Sequence, residues 1–325
     1  MAHLLRPRQS LWPRTGRCGR AGIWGQRGHK ELPLRRLNST HQSNRGSVRL
    51  KQEVAHYLAT GEADPLGRTF PGEDTLERLR GYKRYLRSAL IEEVRCREHG
   101  RRQRHAPADF DPASWTRRKV EPMITGLFPL AERQVMLDVA ERSLVFLTRQ
   151  AAHQAIRDIG FLEDAWMIAN IYLGSLGAAT FGGEGDRAVG LSLETKCYVS
   201  LEYFAEEAPL ADYVVHEVAH IFHNCKRRTV GLPHSHHKEW LLDVAFVKRK
   251  TFAYACEAYS RLVERARPRQ GRRLLLAQGS RASKLCDDFT DRAELLDILA
   301  DAIDVRNGWR RILVRCSPPK RTSTY

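Results

Sequence analysis

A chain of 325 residues with 42% hydrophobic and 28% charged residues has an ordinary globular composition and can bury one large core or two smaller ones. The net charge of +16 is uneven: residues 1–50 hold eleven Lys or Arg against one acid, Glu31, so +10 of the excess lies there. No stretch approaches the roughly 20 apolar residues that cross a bilayer, and seven scattered cysteines without a C-x-x-C pair point to free thiols in a reducing, cytoplasmic setting.

Residues 1–46 have no apolar period and many Gly, Pro and Arg, which predicts a disordered basic tail. It lacks the apolar block of a secretory signal. A nucleic-acid-binding arm, an organellar targeting segment and a start placed too far upstream all fit its composition. Residues 47–105 read as helical. A short helix ends near Gly61, and Asp74 caps a longer one with Leu76, Leu79, Tyr82, Leu86, Leu90 and Val94 at helical spacing. Residues 106–129 contain prolines and are expected to be a linker. The body of the protein is then expected over residues 130–316.

That body opens with one long amphipathic helix from Leu130 to Gly160, followed by a second helical run to Gly177. The glycine-rich stretch after it does not match G-x-G-x-x-G between a strand and a helix, so no dinucleotide site is expected. Residues 188–204 alternate and favour β residues, which predicts a hairpin turning near Glu194-Thr195-Lys196. Helical runs are expected again at 238–247, at 248–266 and behind Thr290.

Between hairpin and helices lies PLADYVVHEVAHIFHN, residues 209–224, with the pattern H-E-x-x-H at His216-Glu217-Val218-Ala219-His220. Residues four apart share a helix face, so His216 and His220 can offer two imidazoles to one zinc ion. Glu217 sits about 100° round the helix, beside the metal, where its carboxylate can act as general base on a zinc-bound water. Val214, Val215, Val218, Ala219, Ile221 and Phe222 make the rest of this helix apolar, so it should be buried. A buried helix bearing two imidazoles and a carboxylate needs a reason, because unpaired polar groups inside a protein cost several kcal/mol.

A catalytic zinc site takes three protein ligands. Glu257, within the apolar run Phe252–Tyr259, is the first choice for the third, because an ionised carboxylate there needs a cation. His236, on a basic loop four residues before Trp240, is the alternative. Glu239 ranks next, in which case Asp243 would orient His216. Cys225, His234 and His237 are weaker. His223, Tyr254 and Tyr259 are candidates for stabilising an oxyanion.

HEVAH in this apolar helical frame resembles the zincin metallopeptidase superfamily. Glu257 as third ligand would make it similar to the gluzincins, and His236 would make it similar to SprT-like zincins. The resemblance covers about residues 188–265. It implies an α+β fold, predominantly helical, with a small antiparallel sheet beside an active-site helix, and zinc-assisted hydrolysis of a protein or peptide substrate held by strand addition. Two other readings stand beside it: a nucleic-acid-associated accessory protein whose zinc is structural, and an inactive zincin fold used for interaction.

Overall fold

The computed structural model describes residues 42–72, 74–183, 188–236, 238–282 and 285–319. The tail expected over 1–46 lies outside them except for 42–46, which begin a helix. In chain order the structure forms α1 (Gln42–Thr60), α2 (Thr75–Glu98), α3 (Pro112–Leu127), α4 (Leu130–Ser143), β1 (Leu144–Phe146), α5 (Arg149–Asp158) and α6 (Leu162–Ser175). Then follow β2 (Gly190–Ser192), β3 (Cys197–Val199), α7 (Tyr213–Asn224), α8 (Arg249–Arg265), α9 (Arg269–Ala282), α10 (Arg292–Asp304) and α11 (Gly308–Cys316). The fold is predominantly helical with one small sheet.

That sheet is mixed, not antiparallel as expected. Its order is β1-β3-β2, with β1 parallel and β2 antiparallel to the central β3. The hairpin forms about the expected turn, Leu193 N–H donating to Lys196 C=O at 2.7 Å. The third strand comes from inside the expected long helix 130–160. Leu144-Val145-Phe146 is a β-favouring run, and Thr148 next to it accepts from Ala151 N–H and so starts α5. The helical period is therefore cut in two.

The sheet divides two apolar cores because side chains alternate across it. Leu144, Phe146, Cys197 and Val199 face a core shared with α3, α4, α7, α8, α10 and α11. Leu191 and Tyr198 face the core of α1, α2, α5 and α6. The described residues from Gln42 onward fall in one compact unit, with no division at 106–129. The expected linker is instead largely helix α3. Asp111 caps it, Pro112 occupies its first turn, where a missing N–H costs nothing, and Val120, Met123, Ile124 and Leu127 are buried. Pro122 lies within the helix, and burial of this apolar face outweighs its cost.

The expected helix over 238–247 is likewise absent. Leu242 N–H donates to Phe222 C=O at 2.7 Å and Leu241 N–H to Cys225 C=O at 3.1 Å. The segment is a strap that satisfies carbonyls at the end of α7, which have no partner within the helix. A short 3₁₀ turn, Phe246–Lys248, leads from it into α8. α9 and α11, which the sequence did not suggest, pack against α8. Asp291, one residue after the expected Thr290, caps α10.

The loop after α7 is tied down by a buried ion pair. Arg227 is 1% exposed and its guanidinium donates to both oxygens of Glu132 on α4, at 2.6 and 3.1 Å, and through Nε to Pro233 C=O. Gly231 turns the backbone in the left-handed region, φ 76°, where other residues are strained. Arg227, then Lys238, holds the Glu132 carboxyl below its usual range. A carboxylate depressed in this way adds stability above its unfolded pKa and loses it as pH falls through the folded value. Glu132→Gln strands a buried guanidinium, so it is expected to cost about 3–5 kcal/mol at neutral pH. The loss should shrink on acidification below about pH 4. Urea melts of both proteins across pH check this, and a pH-independent or negligible difference contradicts it.

Candidate metal centre

Helix α7 is positioned from its first residue. Asp212 caps it, Oδ1 accepting from Val215 N–H at 3.3 Å. Asp212 is fully buried, and its Oδ2 meets Lys119 of α3 at 2.7 Å, with Arg261 of α8 at 3.8 Å. Burial pushes this carboxyl up and the two cations work against it. Its backbone N–H donates to Glu257 Oε1 at 2.8 Å. The cap is thus bound directly to the carboxylate that reaches the histidines.

His216 and His220 share a face, as their spacing requires. Their Nε2 atoms are 3.1 Å apart. The other ring nitrogens each have a partner. His216 Nδ1 lies 2.8 Å from Glu257 Oε2, His220 Nδ1 lies 2.9 Å from His223 Nε2, and His223 Nδ1 lies 3.1 Å from Asn224 Oδ1. A carboxylate and an amide oxygen only accept, so this series of bonds has one direction. His216 Nδ1–H donates to Glu257, His223 Nδ1–H donates to Asn224, and His220 Nδ1–H donates to His223.

Burial pushes His216 down, but the Glu257 carboxylate, helped by Glu217 and Asp287, more than reverses this. Burial pushes His220 well down, and His216, His223, Lys250 and Arg249 act in the same sense. His223 is pushed down to about 3 by burial and Arg249. Both rings carry their hydrogen on Nδ1, so a hydrogen bond between the two Nε2 atoms needs one further proton, and the Glu257 carboxylate favours that proton on His216. A metal ion replacing that proton would leave every Nδ1–H bond in place. Two zinc–nitrogen bonds of roughly 2.0–2.1 Å at a tetrahedral angle put their nitrogens about 3.3 Å apart, close to the separation found. The pair fits two corners of a zinc site. Among the described residues no group of three or more His, Cys, Asp or Glu side chains is arranged to hold a metal.

Glu257, buried at 6% exposure on α8, is brought to the pair but sits behind His216, on Nδ1. In this arrangement it holds the ring, the role expected of Asp243 had Glu239 been the third ligand. Asp243 is exposed. His236 is exposed on the loop after α7, and Glu239 is paired with Lys226. Tyr254 packs its ring 4.5 Å from that of His216, whereas Tyr259 packs against Trp309, away from the histidines. His234 is exposed, Cys225 is buried at the end of α7 and His237 lies outside the described residues.

Glu217 faces the sheet. Its Oε2 accepts from Ser192 Oγ at 2.5 Å, and a side chain at Gly190 would meet Oε1 at 2.5 Å. Gly190 and Ser192 are two residues apart on β2 and share its α7 face. One leaves room for the carboxylate and the other holds it. Neither stands out in the sequence by residue type, although their alternation with Leu191 carries the signal. Burial pushes Glu217 up, while His216 and Ser192 pull it back. Comparison with family models, with curated proteins and with solved structures finds no match for this protein.

A carboxyl whose folded pKa is raised contributes stability below its unfolded value and loses it as pH rises through the folded one. Ser192→Ala removes a donor to the ionised form and is expected to cost about 1–3 kcal/mol. The deficit against the parent should grow from about pH 4 to about pH 8. Denaturant melts at both ends test this; equal stability at high pH means Ser192 does not hold Glu217.

Proposed function

We propose that the protein is a zinc-dependent hydrolase of peptide bonds built on a zincin-like arrangement. The observation that carries this reading is the pair of Nε2 atoms 3.1 Å apart with both Nδ1 atoms committed as donors, next to a carboxylate held against a strand. His216 and His220 would hold the ion through Nε2. Glu257 is the carboxylate of the site, fixing His216 in the arrangement observed and available as the third ligand. A bound zinc ion supplies Lewis acidity toward the scissile carbonyl and lowers the pKa of water.

The protein's own groups do the rest. Glu217 takes a proton from the attacking water and returns it to the leaving amine. Ser192 orients Glu217 without ligating. Tyr254, whose ring packs 4.5 Å from that of His216, is the candidate donor to the developing oxyanion. The substrate backbone has an edge to join. Ser200 N–H donates to Val189 C=O and Leu193 N–H to Lys196 C=O, so alternation in an antiparallel ladder turns the N–H and C=O groups of Gly190 and Ser192 away from β3. An extended peptide adding there would run past the Glu217 carboxylate.

Purified protein is expected to bind about one zinc per molecule, with loss of it in His216→Ala and His220→Ala. Glu217→Gln should keep the zinc and the fold, while cleavage of an unfolded protein substrate falls by a factor on the order of 10² or more. Full zinc content in His220→Ala, or undiminished cleavage by Glu217→Gln, removes the reading. Glu257→Gln keeps an oxygen that can accept from His216 Nδ1–H, so loss of zinc in this variant marks Glu257 as a ligand. Zinc retained there but lost in His236→Ala moves the third ligand to the loop.

A further inference from the structure

The backbone enters α8 through Phe246-Val247-Lys248-Arg249-Lys250. The first two residues are apolar and stand in solvent, Phe246 69% and Val247 81% exposed. The three cations differ from one another. Lys248 is paired with Glu294 of α10 and Lys250 with Asp287. Arg249 is half-buried and makes no ion pair with any of the described residues. Its Nη1 donates to Asn224 Oδ1 at 3.3 Å, and its guanidinium lies 5.3 Å from the Phe246 ring centroid and 5.8 Å from that of Trp240. Its Nε is buried with no hydrogen-bond partner. A guanidinium taken partly out of water ordinarily finds a counter-charge. Burial pushes Arg249 down from the usual arginine range, and Asp243, acting from a distance, only partly offsets this.

The position of this unanswered charge gives it a use. Asn224 is the last residue of α7, and its Oδ1 also accepts from His223. Arg249 is thus joined to the imidazole pair through Asn224 and His223, and its charge reaches both His220 and His223. An anion drawn to Arg249 would lie beside Asn224, at the His223 end of the polar series, next to the apolar rim of Phe246 and Trp240.

We propose that Arg249 binds a carboxylate of the peptide substrate and so sets which peptides the site accepts. This rests on the peptide-hydrolase reading of α7. The guanidinium fork matches a planar carboxylate through two parallel bonds. The neighbouring lysines are already neutralised, so one negative charge completes the site. That charge can come from the free carboxyl terminus of a peptide or from an Asp or Glu side chain. The aromatic rim suits an apolar side chain adjacent to it.

The test uses four fluorescein-labelled decapeptides with otherwise neutral, partly apolar sequences. One pair differs only in a free against an amidated C-terminus. The other pair, both amidated, differs only in Glu against Gln at one position. Binding is followed by fluorescence anisotropy in the Glu217→Gln protein, so that no peptide is consumed. That protein is expected to favour the carboxylate member of at least one pair tenfold or more, and the pair that responds identifies the source of the charge. Arg249→Met, which keeps the apolar stem, should bring that ratio close to one, and Arg249→Lys should retain part of it. The inference is overturned if neither pair shows a preference, or if Arg249→Met leaves the ratio unchanged or weakens all four peptides equally. Zinc content measured alongside separates the two readings. A zinc-free parent whose carboxylate preference still depends on Arg249 removes the hydrolase and leaves a peptide-carboxylate site, whereas a zinc-loaded, cleaving protein indifferent to Arg249→Met does the reverse.

Discussion

Helix α7 is buried with three imidazoles and a carboxylate on it, and every neighbouring element answers that constraint. Polar groups taken out of water must find partners inside the protein. Glu217 finds Ser192, His216 finds Glu257, His220 finds His223, and His223 finds Asn224. Without these bonds the apolar faces of the helix could not be packed, because burying them would also bury unsatisfied donors and acceptors. The polar series is thus a condition for the core as much as a feature of the site.

The three-stranded sheet is small because its work is local. Three residues of β2 present Gly190 and Ser192 to α7 and Leu191 to the other core. A one-residue slip would set Leu191 against Glu217 and expose Ser192 to apolar neighbours, so the pleat fixes the register. β1 contributes in the same way, with Leu144 and Phe146 entering one core and Leu147, just past the strand, entering the other. The two halves of the protein are thereby joined through a wall that each helps to build.

Charge is managed by pairing at nearly every buried point. Arg227 meets Glu132, Lys119 meets Asp212 and Glu264, and Asp212 links the cap of α7 to Glu257. These pairs orient more than they stabilise, since desolvation consumes most of the attraction between buried charges. Arg249 departs from this pattern, and it does so on the side of α7 where His223 and Asn224 end the polar series.

Much of the local structure was legible in the sequence. The spacing of His216 and His220 sufficed to place both on one helix face, since a helix repeats every 3.6 residues, and the apolar residues between them marked that helix as buried. The cap at Asp74, the hairpin near Glu194–Lys196 and helix α8 followed from equally short-range rules. Contacts between distant residues were not legible. Leu144–Phe146 became a strand because β3, some fifty residues later, offered an edge. Residues 238–247 became a strap because α7 left carbonyls unpaired. Pro-containing 112–127 became a helix because its apolar face had a core to enter. Ser192, Gly190 and Arg249 acquired their roles only when folding set them beside Glu217 and Asn224. Periodicity governs what a residue's near neighbours see, while partners far along the sequence are chosen by packing, which no local pattern encodes.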